Sequence, residues 1–156
     1  MIKDLVAVYD SCVADGHLYN MKEADAERAT TLLEIAEQDS STLAETSPIM
    51  EKMKNFSLLW SSRYEVIRKL VDGILLLEMI KSDNHQCLYA YLCLKHDEWE
   101  IDWETIETMR LLRNAVHYEG KPIKEETWNA FRLKFDIYTT TFISILKDML
   151  KELQPP

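Results

Sequence analysis

Glycine and proline are scarce in this chain of 156 residues, with three glycines and four prolines. So few breakers leave little room for hairpin turns or long irregular segments, and no glycine-rich phosphate loop is present. Long apolar runs are missing too. The longest stretch without a charged residue, Asn84 to Leu94, has eleven residues, well short of the ~20 needed to span a bilayer; no membrane partner is expected. The N-terminal Met1-Ile2-Lys3-Asp4 lacks the basic region and apolar block of a signal peptide. Cysteine is limited to Cys12, Cys87 and Cys93. Their odd number and wide spacing argue against a disulfide framework and for a reducing cytoplasm. Cys87, Cys93 and His96 lack a second close-spaced pair, so buried thiols are expected there rather than a metal centre. No cofactor is expected.

Basic residues are outnumbered, and the net charge of -9 works against non-specific binding of duplex DNA. The charge is uneven. Residues 1–54 hold 5 basic and 11 acidic side chains, whereas residues 105–135 hold six cations (Arg110, Arg113, Lys121, Lys124, Arg132 and Lys134) against four glutamates. A cationic cleft on an acidic body would follow if those six gathered in space.

What is abundant is apolar residues at helical spacing. Hydrophobic residues make up 47% of the chain, enough for one domain with a real core. Residues 2–14 carry Ile2, Leu5, Val6, Tyr9, Cys12 and Val13 at a helical period, and Asp15-Gly16 ends that helix. His17 to Met21 is expected as a linker, with His17 at the surface. A second helix is predicted from about Lys22 to Ala44, closed by a turn at Thr46-Ser47-Pro48. The longest, from about Asn55 to Lys81, has two apolar stripes and so belongs between neighbours. Gly73 in its middle suggests a close helix contact there, and Glu65 and Lys69 form a surface pair. A short helix follows over His85 to Leu94, capped by Asn84; His85 and His96 are expected to be structural or exposed. Asp102 caps the next helix, and Lys121-Pro122 opens the last, where Trp128, Phe131, Phe135, Tyr138, Phe142, Ile145 and Met149 form one stripe. No alternation of period two appears. The expected fold is all-α, a compact up-and-down bundle of five to six helices forming a single domain over residues 1–152, with residues 153–156 as a frayed tail.

One stretch stands apart. Met109 to Gly120 reads Met-Arg-Leu-Leu-Arg-Asn-Ala-Val-His-Tyr-Glu-Gly. On a helix, Arg110, Arg113, Asn114 and His117 fall within an arc of roughly 100°, while Leu112, Ala115 and Val116 face the core. Gly120 suits a left-handed stop. Two guanidiniums, a carboxamide and an imidazole on one stripe suit a phosphodiester. The RNA 2′-hydroxyl is a built-in nucleophile; His117 could take its proton, or return one to the leaving oxygen. Arg110 and Arg113 would hold the phosphate, Asn114 would orient the imidazole, and Tyr118 is close enough to assist. One histidine gives one acid–base group, so a two-fold dimer would complete the set. Glu78, inside an apolar stripe, must reach solvent or meet a cation, with Arg110 and Arg113 as candidates.

The order of elements resembles the HEPN superfamily, small helical-bundle domains, over about residues 20–150, and is similar to archaeal HEPN proteins. The resemblance is carried by Tyr64-Glu65-Val66-Ile67-Arg68, Lys81-Ser82-Asp83-Asn84-His85 and Arg110 to Gly120. It implies a metal-independent endoribonuclease of toxin–antitoxin or defence type, acting as a homodimer with the two motifs facing each other. It also implies a non-catalytic alternative, a module that binds nucleotide, RNA or a nucleotidyltransferase antitoxin partner. The family motif is Arg, about four to six residues, then His, the Arg often followed by a polar residue. Here Arg113-Asn114 supplies the dipeptide with two residues between Asn114 and His117, whereas Arg110 lies six intervening residues from His117 and is followed by Leu111.

Overall fold

The computed structural model describes residues 1–155; Pro156, in the segment expected to fray, lies outside them. Among the described residues six α-helices dominate: α1 (Leu5–Ala14), α2 (Ala26–Lys52), α3 (Phe56–Leu77), α4 (His85–Lys95), α5 (Trp103–Glu119) and α6 (Glu125–Glu152). The all-α bundle expected from the apolar periodicity is borne out. No helix among the described residues is long and apolar enough to cross a membrane.

Helix α3 is the axis of the bundle, with α2 and α6 as its main neighbours. Its apolar residues run round most of the helix, so Trp60, Tyr64, Ile67, Leu70, Val71 and Ile74 are all fully enclosed. Gly73 marks the closest approach: a Cβ there would stand 2.9 Å from Leu146 Cδ2 of α6. Glycine costs about 1 kcal/mol of helix propensity, less than the roughly 1.5–3 kcal/mol that burying a leucine contributes. The stripe of α6 packs against the same helix, with Phe135 edge-on to Trp60 at 4.9 Å between centroids. Asp102 and Asn84 cap α5 and α4 as their positions suggest, and Gly120 closes α5 at φ 64°.

Several boundaries differ from expectation. Helix α2 continues through the predicted turn at Thr46-Ser47-Pro48. Pro48 cannot donate to Ala44, but the Thr46 hydroxyl bonds back to the Thr42 carbonyl at 2.9 Å and Ser47 to that of Leu43. Arg63 of α3 donates to Ser47 Oγ at 3.0 Å, and packing on α3 carries the helix past the proline. Helix α3 stops at Leu77, because Met79 takes a left-handed conformation at φ 61°. It is therefore shorter than α2 and α6. The next residues form β2 (Ile80–Ser82), which pairs antiparallel with β1 (Leu18–Asn20), Leu18 opposite Ser82. The expected linker is thus half of a two-stranded ribbon, too short for period-two alternation to show in sequence. Lys121 to Lys124 is a loop, and α6 begins after it. Glu65 pairs with Arg68 and Arg113, and Lys69 with Asp39 of α2, in place of the expected Glu65–Lys69 pair.

Two corrections concern chemistry. Cys12 and Cys87 form a disulfide, against the expectation from cysteine count, because the last turn of α1 lies over the first turn of α4 and brings their Cα atoms to 5.6 Å. Cys93 is a buried free thiol, as expected; burial, with the charges of Asp102 and Glu107, pushes it up to about 12. His17 is not alone at the surface: its Nδ1 meets Asp83 Oδ1 at 2.8 Å.

Candidate functional site

Helix α5 is fixed at both ends before its side chains are placed. The Tyr138 hydroxyl of α6 accepts from the Asp102 N–H at 3.1 Å, the Trp60 indole of α3 donates to the Met109 carbonyl at 3.1 Å, and Ser57 Oγ accepts from the Ile123 N–H beyond α5 at 2.9 Å. The helix therefore lies along the first half of α3, and its polar stripe opens over a seam between them.

Within that seam each arginine meets a carboxylate of its own chain. Arg110 forms a two-toothed pair with Glu107, Nε to Oε2 at 2.9 Å and Nη2 to Oε1 at 2.7 Å. Glu107 is only 1% exposed and also accepts from Gln86 Nε2 of α4 at 2.7 Å. Arg113 reaches across to α3, Nη2 to Glu65 Oε1 at 3.0 Å, with its guanidinium over the Tyr64 ring at 5.8 Å and Nη1 at 3.4 Å from Asn114 Oδ1. Its Nε is buried without a hydrogen-bond partner among the described residues. The other oxygen of Glu65 holds Arg68 Nε at 2.8 Å, and Arg68 Nη1 holds Asp72 Oδ2 at 2.9 Å. A single alternating relay thus runs Asn114, Arg113, Glu65, Arg68, Asp72.

The electrostatics follow from this arrangement. Burial works against the ionised form of Glu65, but the hydrogen bond and charge of Arg68 and the charge of Arg113 outweigh it and hold the carboxyl below its ordinary value. For Asp72 burial wins, and the carboxyl is raised despite Arg68 and Arg28. His85, at the first position of α4, faces this relay with Nδ1 3.5 Å from the Tyr64 hydroxyl. Burial, then the charges of Arg68, Arg113 and Arg110 against the pull of Glu65, lower its proton affinity. Burial pushes the Tyr64 phenol up to about 12.

The residues singled out in sequence are only partly brought together. Arg113 and Asn114 meet, and Arg110 lies in the adjoining pair. His117 and Tyr118 are exposed on the last turn of α5, and neither takes part in a hydrogen bond or ion pair among the described residues. Glu78 meets neither arginine. It caps the C-terminal end of α3 beside α4, where Tyr91 Oη donates to Oε2 at 2.9 Å and His96 Nε2 stands 2.5 Å from Oε1. The six cations of residues 105–135 do not form one cleft: Arg132 pairs with Glu51, Lys121 with Glu119, and Lys134 lies over Phe131. His85, Arg68 and Asp72 were not singled out as site residues. The signal for two of them was present, since Glu65, Arg68 and Asp72 at spacings of three and four draw one charged stripe on an otherwise buried helix. No group of three or more metal-ligating side chains occurs among the described residues. Comparison with family models, curated proteins and solved structures gave no match.

Proposed function

We propose that this chain is a HEPN-like helical interaction module that presents α5 to a second copy of itself, or to a protein partner of the nucleotidyltransferase kind, and that no catalytic centre is assembled within one chain. The observation that carries this reading is that both guanidiniums of the polar stripe are already held by carboxylates of the same chain. A phosphate approaching Arg110 would have to displace a buried carboxylate, at the cost of leaving it uncompensated. The pairs instead fix a rigid polar surface, charge-balanced, of the sort that sets orientation between proteins. Sedimentation of wild type and Arg113→Ala tests this. A dimer that dissociates in the variant, together with no cleavage of RNA by wild type in chelator, is the expected result. A wild-type monomer with no partner bound at α5 overturns it.

A second reading is favoured by His117, an exposed imidazole without a partner among the described residues, one turn beyond Asn114 on the same face. It makes the protein a metal-independent endoribonuclease completed by a two-fold axis. One His117 would take the proton of the RNA 2′-hydroxyl, the oxygen would attack phosphorus, the bond to the 5′-oxygen would break, and the second His117 would protonate the leaving oxygen. Arg110, Arg113 and Asn114 would line the phosphate's path, with Tyr118 beside it. Cleavage to cyclic-phosphate ends in chelator, abolished in His117→Ala, selects this reading over the first.

A further inference from the structure

A cavity of about 220 Å³ opens where α2, α3, β2 and α4 meet, on the far side of Arg68 from α5. Its lining includes the cations Arg28, Arg68 and Lys81 and the imidazole of His85, each delivered by a different element. Two acids also line it: Asp72, paired with Arg68 at 2.9 Å, and the exposed Asp83, in contact with His17 Nδ1 at 2.8 Å.

Arg28 is the more telling group. Of the six arginines in the sequence, Arg63, Arg68, Arg110, Arg113 and Arg132 each have a carboxylate within ion-pair distance. Among the described residues Arg28 has none, and neither does Lys81. Both are exposed at the rim, with charges available to a ligand. The lining also includes the apolar side chains of Leu75, Leu76, Ile80 and Leu88.

The geometry points to a binding site for a small phosphate monoester in this cavity, with the phosphate held between Arg28 and Lys81 and a compact carbon skeleton beside Leu76 and Leu88. The volume of about 220 Å³ suits a single phosphorylated metabolite. Guanidinium and ammonium donors form charge-assisted hydrogen bonds with phosphate oxygens, and the walls raise their effect above that of surface charges. The assignment does not depend on α5 being an interface.

The test is a titration of the full chain followed by NMR of backbone amides and histidine rings, using inorganic phosphate, adenosine monophosphate and adenosine in turn. Saturable shifts at Arg28, Lys81 and His85 from the two phosphate probes, and none from adenosine, are expected; the tighter of the two phosphate probes tells free phosphate from a monoester. The double variant Arg28→Glu with Lys81→Glu should bind at least about tenfold more weakly. Its fold is expected to persist, since a glutamate in the first turn of α2 favours that helix end and both positions are exposed; circular dichroism checks this. Absence of saturable shifts up to ~10 mM phosphate, equal affinity in a folded double variant, or equal binding of adenosine each overturns the assignment.

Discussion

Replacing Arg110 by alanine strands a carboxylate. Glu107 is 1% exposed, and Arg110 supplies two of the three donors that reach it, at 2.9 and 2.7 Å; only Gln86 at 2.7 Å would remain. Removing one partner of a buried pair costs about 3–5 kcal/mol, and the surviving Gln86 bond places the value near the lower end. That is a large part of the roughly 5–15 kcal/mol that holds a domain of this size. With a urea slope of ~2 kcal/mol/M, the unfolding midpoint should fall by about 1.5 M. Removing both charges with apolar replacements, Glu107→Leu and Arg110→Leu together, should recover most of the loss, because no buried charge is left without a partner. Arg113→Ala should cost less than ~1 kcal/mol, since Glu65 is 30% exposed and keeps Arg68. Urea unfolding of the four proteins, followed by far-UV circular dichroism, measures all of this. An Arg110→Ala midpoint within ~0.5 M of wild type, or a double variant as unstable as the single one, refutes the view of Glu107 as a carboxylate that needs Arg110.

Two further outcomes are expected. Changing Cys12 and Cys87 to serine opens a link between residues 75 apart in sequence, for which the chain-entropy account gives about 4 kcal/mol; thermal unfolding should move down and α1 amides should exchange faster, and identical curves with and without a dithiol reductant would contradict this. His85 should titrate below its ordinary 6.5, since burial and the charges of Arg68, Arg113 and Arg110 disfavour the imidazolium. The folded chain then binds fewer protons there than the unfolded chain, so this contribution to stability is present above pH 6.5 and lost as pH falls through the lower folded value; an NMR midpoint at or above 6.5 would refute the burial account.

The helices were legible because their signal is local. Phe135, Tyr138 and Phe142 recur at the helical period and are buried as that period requires, and Asp102 and Gly120 announce both ends of α5. What the sequence concealed depends on approach between distant segments. Pro48 spells a turn to any local rule, yet Arg63 and the packing of α3 carry α2 past it. Glu78, left between solvent and an arginine by its place in the apolar stripe, meets Tyr91 and His96 instead. The guanidiniums of Arg110 and Arg113 were correctly placed on one stripe. Their partners, Glu107 one turn back and Glu65 on another helix, decide what that stripe can do, and only the first lies within local reach. His85 gains its surroundings from α3 and α5 together, and no spacing in the chain encodes that.

The bond between Cys12 and Cys87 has a topological consequence. It closes the chain into a covalent ring that contains all of α2 and α3, while α5 and α6 hang from it as an open tail. A single backbone cut anywhere between residues 13 and 86 leaves one connected molecule, and its two pieces separate only on reduction. A cut in the loop between α5 and α6 leaves α6 with no covalent link, held by its packing, chiefly on α3 and α2. The helix bearing the arginine stripe therefore leans on a closed loop through Glu65 and Trp60, but belongs to the part of the chain that no ring secures.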